Sequence, residues 1–397
     1  MPVRVLYSFP HKIGADRICH TAWNQVTGTA AAGAEMVVMP GVLHKPFQEG
    51  IKVQPTLAWG RLRISYKLFG TKRACALHDA IVAGRLRKLA GKIDAVHAWP
   101  MGALRTLKAA KRLGIPTFLE RPNAHTRFAY EVVAKECEKL GLSMPRGHEH
   151  AFKEDWLKIE EEEYRLADYL LCPSDFVART FLDRGFPPAK LVRHQYGFDE
   201  ATFYTPPSRP PSDEPFTMLF AGGCAPRKGL HYALEAWINS SAHKNGRFLV
   251  AGGFIPGYAE KLAPWLSHPS VEVLGHRRDV ADLMRRSDVF ILPSIEEGSA
   301  LVTSEARGCG CVLLVSEAAG AICEHKVNAL VHVPGDVQTL TEHLTDLYQD
   351  RGLVERLRSA SLSTIEQIKW SSAGAVLLDS YKFIAASRSG RAQVVLN

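Results

Sequence analysis

A short proline-rich segment divides this chain into two halves, each of which repeats an alternation of strands and helices. Five of the eleven residues at 205–215 (TPPSRPPSDEP) are proline, which excludes a helix or an inner strand there. On both sides, apolar runs of strand length are separated by longer helical stretches. This pattern predicts right-handed β-α-β units and therefore a parallel sheet in each half.

The alternation predicts five strands in each half. The predicted strands are 3–9, 35–39, 95–98, 116–120, 169–173, then 217–221, 247–251, 271–274, 289–292 and 312–315. The predicted helices include 17–32, 104–113, 154–167, 229–239, 258–267, 280–287 and 299–308. We therefore predict an α/β protein with two Rossmann-like, doubly wound domains facing each other across a cleft, where ligands of such sheets bind. The predicted divisions are a domain at 1–205, a linker at 206–215, a second domain at 216–372, and a closing helix with a frayed tail at 373–397.

Composition agrees with a soluble protein of two domains. The 397 residues are 46% hydrophobic and 23% charged, the balance of a globular protein with a full core. No segment approaches the roughly 20 apolar residues of a membrane span, and the start lacks the features of a signal peptide, so we expect a cytoplasmic protein. The eight cysteines are scattered without zinc spacing, which predicts reduced, mostly buried thiols.

Basic charge is concentrated in the first half. The stretch Arg61–Lys92 contains nine Lys or Arg residues and one acid, Asp79, within a chain of formal net charge +8. It suits peripheral contact with an anionic membrane, here the inner membrane surface, or a phosphorylated substrate, while a solvated helix face explains it equally simply. No helix-turn-helix, zinc or RNA-recognition pattern accompanies the charge, so we expect no nucleic-acid partner.

The segment 220–230 (FAGGCAPRKGL) predicts a phosphate-binding turn after a strand. Gly222 and Gly223 let the backbone approach a ligand, and Arg227 and Lys228 add positive charge where a helix N-terminus favours anions. A structural turn would explain the glycines alone. The prediction of a diphosphate site therefore depends on the adjacent Arg-Lys pair.

The segment 288–305 (DVFILPSIEEGSALVTSE) places two carboxylates around the start of a helix. Glu297 is expected in the loop at the mouth of the cleft, where it accepts hydrogen bonds from sugar hydroxyls. Ser299 is the expected N-cap, and Glu305, about two turns into the helix, accepts both hydroxyls of a ribose. The backbone groups expected to approach sugar and phosphate are those of Gly298, Ser299, Ala300 and Leu301. The alternative is that Glu297 only adds charge to the first helical turn and Glu305 lies on the surface.

A third segment, 271–279 (VEVLGHRRD), contains a predicted strand and the residues that follow its carboxyl end, at the edge of the sheet where ligands bind. Leu274 and His276, with Arg277 as an alternative, are candidates for contact with a nucleotide base.

Together these segments resemble the retaining glycosyltransferases of family 4, which have the two-domain GT-B fold, over nearly the whole chain. "PSIEEGSALVTSEARGCG" resembles the Glu-x7-Glu donor motif, which implies that Glu297 meets the donor sugar and Glu305 the nucleotide ribose. "AGGCAPRKGLHYALEAW" resembles the diphosphate loop, with Lys228 in the lysine's place. Gly222 and Gly223 stand where many members have an arginine, for which Arg227 is the candidate substitute. The resemblance makes the first domain acceptor-binding and the second nucleotide-sugar-binding.

The first half carries the resemblance as well. "DAVHAWPMG" and "IPTFLERPNAHT" resemble strands that bring histidines to the cleft, with His125 as the counterpart of the active-site histidine and His97 as a further cleft residue. "PHKIGADR" stands at the first-strand loop, where only Gly14 remains of the family's paired glycines. "IKWSSAGAVLLDSYKFI" resembles the closing helices that cross back to the first domain.

The resemblance implies a hexosyltransferase-type enzyme of polysaccharide or glycoconjugate biosynthesis. It would move a sugar from a nucleoside diphosphate to a hydroxyl acceptor (glycan, lipid or small molecule) with retention, using His125 and Glu297 as catalytic residues. Because no Asp-x-Asp motif serves the nucleotide, we expect no metal and no other cofactor. Two alternatives remain, a nucleotide-sugar epimerase on the same fold and a non-catalytic nucleotide- or carbohydrate-binding protein. A dehydrogenase is disfavoured because no Gly-x-Gly-x-x-Gly follows a predicted strand.

Overall fold

The computed structural model describes residues 2–60, 62–145, 147–148, 150–206 and 215–388. Most of the predicted linker (207–214) and the tail from 389 onward lie outside the described residues. The linker and the frayed tail therefore stay predictions.

The first domain is built on a parallel sheet. Its strands, with a small antiparallel hairpin, are β1 (Arg4–Ile13), β2 (Glu35–Leu43), β3 (Lys52–Val53), β4 (Ala58–Trp59), β5 (Leu62–Arg63), β6 (Ala95–Ala98), β7 (Thr117–Glu120), β8 (Tyr169–Cys172) and β9 (Leu191–Arg193). Its helices are α1 (Ile18–Ala31), α2 (Tyr66–Phe69), α3 (Thr71–Lys88), α4 (Leu104–Arg112), α5 (Thr126–Lys139), α6 (Glu154–Leu166) and α7 (Asp175–Leu182). Seven strands pair in the order β3-β2-β1-β6-β7-β8-β9, and β4 and β5 form the separate hairpin.

The second domain repeats this design with six strands. They are β10 (Thr217–Ala221), β11 (Arg247–Ala251), β12 (Val271–Gly275), β13 (Val289–Leu292), β14 (Val312–Ser316) and β15 (Ala329–His332), in the parallel order β12-β11-β10-β13-β14-β15. The helices are α8 (Leu230–Asn239), α9 (Tyr258–Leu266), α10 (Val280–Arg285), α11 (Leu301–Gly308), α12 (Val337–Gln349), α13 (Arg351–Ser363) and α14 (Trp370–Arg388). Every residue of β10, β13 and β14 is buried, as expected for parallel strands covered by helices on both faces.

The last helix crosses back and completes the first domain. Gly374 of α14 packs directly on Gly28 of α1, because an added Cβ at Gly374 would lie 2.2 Å from the carbonyl carbon of Gly28. Tyr381 lies in the first domain's core and hydrogen-bonds His97 at 2.5 Å. The chain thus passes from the first domain to the second and returns.

The predicted α/β fold with two doubly wound domains is confirmed, although the sheets have seven and six strands where five each were predicted. Most ends of the predicted strands differ from the structure by one residue or none. The exceptions are β1 and β2, which continue to Ile13 and Leu43 because they keep pairing with each other beyond Phe9. The prediction of Ser299 as an N-cap is wrong. Helix α11 begins at Leu301 with Ala300 at the cap position and no side-chain cap, so Glu305 lies little more than one turn into it.

Candidate active site

A pocket of about 600 Å³ lies between the domains, at the carboxyl ends of β10 and β13. We call it the strand-end pocket. The second domain contributes the glycines after β10, Lys228, and the loop and first turn of α11. Its lining from that domain includes Ala221, Gly222, Gly223, Lys228, Arg278, Glu297, Gly298, Ser299, Ala300, Leu301, Val302 and Glu305. The structure therefore brings together most of the residues that the sequence predicted for a nucleotide sugar.

Glu297 lies in a cluster of charges at one end of this pocket. Its Oε1 is 3.0 Å from Nη1 of Arg227 and also pairs with Nζ of Lys228. Burial alone would raise the pKa of Glu297, but the charges of Arg227 and Lys228 outweigh it and lower the pKa to about 2. Glu297 is therefore a carboxylate at neutral pH, able to accept hydrogen bonds but unable to act as an acid.

Arg227 and Lys228 are adjacent in sequence and both pair with Glu297, but Arg227 also contacts Glu296. Arg227 Nη1 donates to the carbonyl oxygen of Glu296 at 2.9 Å and to the Glu296 carboxylate at 3.3 Å. Arg227 lines a second cavity, whereas Lys228 lines both. Arg227 therefore holds the carboxylates of the loop, and its substitution for the missing arginine stays a prediction.

Glu305 lies in a different electrostatic setting within the same pocket. Burial, and to a smaller extent the charge of Asp199, raises the pKa of Glu305 to about 7. Its carboxyl group is therefore half ionised near neutral pH. A ligand with two neighbouring hydroxyl donors would favour the ionised form.

Backbone geometry leaves room for a ligand beside the glycines. An added Cβ at Gly223 would meet nothing within 4 Å, although Gly223 lines both cavities. Gly298, in contrast, is fixed against the first domain, because a Cβ there would lie 1.6 Å from the carbonyl oxygen of Pro122. The N–H of Ala300 donates to the Ala319 carbonyl at 3.0 Å, so it is engaged in the fold and is not available to phosphate.

Leu274 and His276 lie outside this pocket. Leu274 belongs to the edge strand β12 and lines a separate hollow of about 220 Å³. His276 is exposed beyond the end of β12. The residue of this segment that does reach the strand-end pocket is Arg278, which the sequence prediction missed.

The first domain closes the strand-end pocket with α1. Arg17, at the N-terminal end of α1, has φ 57° and ψ −132°, a strained conformation for a residue with a side chain, and it lines both cavities. Thr21 is 1% exposed and lines the pocket, and its hydroxyl has no hydrogen-bond partner within the described residues. The sequence prediction placed only Gly14 here and missed both residues.

The second cavity, of about 780 Å³, lies on the first-domain side, and we call it the cleft cavity. Its chemistry combines aromatic rings with an anchored carboxylate, since Glu160 pairs with Arg121 at 3.1 Å and accepts from the Tyr164 hydroxyl at 2.6 Å. It adjoins the strand-end pocket through six residues that line both. They are Arg17, Ile18, Pro122, Asn123, Gly223 and Lys228. The aromatic side chains of the cleft cavity are Phe9, His11, Trp99, Tyr130, His148, His150 and Trp156.

The prediction that His125 lies in the cleft is wrong. His125 caps α5, where its Nδ1 accepts from the Arg127 N–H at 3.3 Å, and its ring packs among Tyr164, Phe181 and Phe186. Burial, strengthened by the charge of Arg121, lowers the pKa of His125 to about 3. Its neighbours Ala124 and Thr126 line the cavity, while His125 does not.

His97 and Gly14 also lie outside both cavities. His97 is fully buried, hydrogen-bonded to Tyr381 and 3.3 Å from the Glu120 carboxylate, so it belongs to the core. Gly14, at φ 83°, packs against Lys45, whose Cβ would lie 2.5 Å from a Cβ at Gly14.

The histidine that does approach the charged cluster is His150, from the loop between α5 and α6. Burial, and then the charge of Arg227, lowers the pKa of His150 to about 3, so the ring is neutral. The only sequence signal for it is the histidine pair in "GHEHAF", which does not show that His150 lines the cleft cavity.

Two further properties bear on the predicted chemistry. Within the described ranges, no three His, Cys, Asp or Glu side chains form a group suited to a metal ion. None of the helices in the described part of the chain has the length and apolar character needed to cross a bilayer.

The known proteins that this chain is similar to are glycosyltransferases. Residues 215–350 match the family model of the glycosyl transferases group 1. The chain is 26% identical over 186 residues to the uncharacterized glycosyltransferase MJ1607 of Methanocaldococcus jannaschii, covering 45% of this chain and 47% of that protein. It is 30% identical over 114 residues to a diacetylbacillosaminyl-diphospho-undecaprenol α-1,3-N-acetylgalactosaminyltransferase of Campylobacter jejuni, covering 28% of this chain and 29% of that protein. The matches thus span about half or less of these relatives.

The fold likeness extends over the whole chain. The structure of Anabaena HepE in complex with UDP superposes with a TM-score of 0.64 at 17% identity, covering 96% of this chain and all of HepE. Its fold, like that of the other similar solved structures, is GT-B. The chain therefore resembles the glycosyl transferases group 1 in sequence over residues 215–350 of its second domain, and its fold is GT-B.

Proposed function

We propose that this chain transfers a sugar from a nucleoside diphosphate to a hydroxyl acceptor, with retention at the anomeric carbon. One observation carries the proposal: Lys228, Glu297 and Glu305 line a single pocket at the strand ends of the second domain. That combination offers a cation for a diphosphate, an ionised acceptor for sugar hydroxyls, and a second carboxylate for a ribose.

In the reaction, the bond between the anomeric carbon and the diphosphate oxygen breaks, the acceptor oxygen takes its place on that carbon, and the acceptor's hydroxyl proton leaves with the diphosphate. Negative charge grows on the leaving diphosphate. Lys228 is placed to stabilise it, with Arg17 and Arg278 as further cations of the pocket. Glu297, kept ionised by Arg227 and Lys228, holds the sugar hydroxyls and favours positive charge on the ring.

The cleft cavity favours transfer over the two alternatives. An epimerase or a nucleotide-binding protein has no need of a second cavity beside the donor, whereas a transferase must hold an acceptor there. The aromatic rings and the Arg121–Glu160 pair suit a hydroxyl-bearing acceptor such as a glycan, a lipid-linked sugar or a small molecule. With His125 excluded from the cleft, the orienting role expected of it passes to His150 or Asn123, which line this cavity.

Metal independence is part of the proposal, because cationic side chains can do what a metal often does at a departing diphosphate. We expect full activity after dialysis against EDTA, with Mg²⁺ or Mn²⁺ added back as the comparison. A strict requirement for either ion would contradict this part. We also propose that the protein acts in the cytoplasm, at the inner surface of the membrane, through basic residues of Arg61–Lys92.

The donor is tested by thermal unfolding with a panel of UDP-, GDP- and ADP-sugars. UDP-glucose is a suitable first member, since a structure of HepE contains it. A ligand that binds only the native state stabilises it by about 2.7 kcal/mol at a hundredfold excess over Kd, enough for a clear shift in melting temperature. Transfer is then measured as sugar loss from the donor with and without acceptor. Conversion to an epimer without acceptor, or protection without turnover, would decide against the proposal.

A further inference from the structure

An outer layer of the first domain exposes large apolar side chains next to basic ones. Leu62 is 75% exposed and Leu68 is 92% exposed, while Trp59 and Phe69 are 48% and 40% exposed. These four residues lie within eleven positions of the β4–β5 hairpin and α2. Clustered exposed apolar residues of this size mark an interaction surface rather than ordinary surface scatter.

The exposure has a definite scaffold beneath it. Ala58, Ile64 and Tyr66 pack inward against the cluster formed by Val42, Leu57 and Ala74. Trp59 pairs directly with Leu62 across the hairpin, which places both side chains on one face. The segment is thus held from below, and the four apolar side chains project from a fixed support.

Basic residues accompany these apolar ones, but only part of the Arg61–Lys92 stretch does so. Lys67 lies between them on α2, Arg63 follows Leu62, and Arg73 is exposed in the first turn of α3. Arg87 and Lys88 lie at the other end of α3, about 21 Å away at 1.5 Å per residue. Arg85 is engaged, since its Nη1 donates to the carbonyls of Gln54 and Pro55.

This surface adjoins the mouth of the cleft cavity. The Tyr66 hydroxyl donates to the Pro10 carbonyl at 2.5 Å, and the Tyr66 ring lies 6.1 Å from that of His11, which lines the cavity. On the other side, Lys72 pairs with Asp155 at 3.0 Å, and the next residue, Trp156, also lines the cavity.

We propose that Trp59, Leu62, Lys67, Leu68 and Phe69, rimmed by Arg63 and Arg73, form a docking surface for an anionic lipid bilayer. Interleaved cationic and large apolar side chains match a membrane interface, where the apolar groups enter the headgroup region and the cations meet anionic lipid. Docking there faces the cleft cavity toward the membrane, so that a lipid-linked hydroxyl acceptor reaches it directly. The acceptor part rests on the proposed function, and the docking part does not.

The test is co-sedimentation of the full chain with phosphatidylglycerol vesicles and with pure phosphatidylcholine vesicles, without nucleotide. We expect strong binding to the anionic vesicles, weak binding to the neutral ones, and release in high salt. The variant W59S/L62S/L68S should bind anionic vesicles about 100-fold more weakly. The variant K67E/R73E should lose about 30-fold or more.

The matched control is R87E/K88E, which makes the same charge change at the far end of α3 and should bind as the wild type does. Equal binding to both vesicle types, no binding, or an equal loss in the control would overturn the proposal. So would a lipid-free oligomer that W59S/L62S/L68S disperses in sedimentation velocity, because the surface would then cover a second copy. Thermal protection by nucleotide sugars, measured on the same variants, reports separately on the proposed function and should remain unchanged.

Discussion

The two carboxylates of the strand-end pocket, Glu297 and Glu305, belong to the same loop and helix but to opposite electrostatic environments. Arg227 and Lys228 contact Glu297, and its pKa falls to about 2. Glu305 is buried and lies near the negative charge of Asp199, and both raise its pKa, to about 7. Environment alone has separated two identical side chains by several pKa units.

The difference shows at which end of the pocket the charges are already paired and oriented before a ligand binds. At the Glu297 end, the charges are already paired and oriented, which is the arrangement that stabilises developing charge without reorganisation. At the Glu305 end, the carboxyl group becomes fully ionised only well above pH 7 or when a bound ligand stabilises the ionised form. We therefore expect the Glu297 end to govern chemistry and the Glu305 end to govern nucleotide affinity.

The largest effect is expected from Glu305→Ala. Losing two charge-assisted hydrogen bonds to a ribose should lower kcat/KM by about 1,000-fold. Stability should be unchanged or slightly higher, because a carboxyl group with a raised pKa opposes folding at neutral pH. Turnover with the best donor of the panel and melting temperature are the two measurements.

Glu305→Gln is the matched control, because it keeps the shape and one acceptor. We expect it to fall between the wild type and Glu305→Ala. Wild-type turnover in the alanine variant would show that Glu305 does not bind the ribose, and would contradict the role proposed for this end of the pocket.

At the Glu297 end, single alanine variants of Lys228 and Arg227 distinguish the roles of the two cations. Lys228→Ala should lower kcat by about 100-fold or more, because it removes the cation that faces the strand-end pocket. Arg227→Ala should mainly lower the melting temperature, since it leaves the buried Glu296 and Glu297 short of their shared partner. The reverse order, with Arg227 controlling kcat in a fully stable variant, would show that the diphosphate contacts Arg227.

The pH dependence of donor affinity is a third, smaller effect. Because the pKa of Glu305 is raised to about 7, the group is neutral below that pH and ionised above it. Ribose binding to the ionised form should therefore be about tenfold weaker at pH 6 than at pH 8 and level off above. Titration calorimetry measures this, and the same profile for Glu305→Gln removes the contribution of the ligand's own phosphates. A profile shared by both variants would assign the titration to another group.

Sequence predicted the parts of this molecule that depend on local pattern. The strands of the second domain are short, apolar and flanked by helices, so β10, β11 and β13 were placed to the residue. Glu297 and Glu305 were identified from a motif whose spacing around a strand end and a helix start fixes their place. Lys228 was identified from a different pattern, the glycine-containing turn between a strand and a helix at 220–230.

What sequence missed depends on side-chain direction and on distant packing. His125 follows a predicted strand, but its ring turns into the aromatic cluster of Tyr164 and Phe181, and no local pattern shows that direction. His150 lines the cleft cavity near Arg227 through packing of distant parts of the chain, which no local pattern shows. Adjacent Arg227 and Lys228 both pair with Glu297 and line the cleft cavity, yet on their tight turn only Lys228 also lines the strand-end pocket.

The smallest effect is expected at Arg17. Its variants test whether the first domain contributes a cation to the charges that are already in place around Glu297 before a ligand binds. It shares both cavities with Lys228 and holds a conformation that glycine adopts more easily. Arg17→Gly should therefore raise the free energy of unfolding by about 1 kcal/mol, while Arg17→Ala should not. Both variants remove the cation and should weaken donor binding equally, by several-fold. If Arg17→Gly is more stable but binds the donor as the wild type does, Arg17 is a strained residue that does not contact the donor. The charges that contact the donor would then all belong to the second domain.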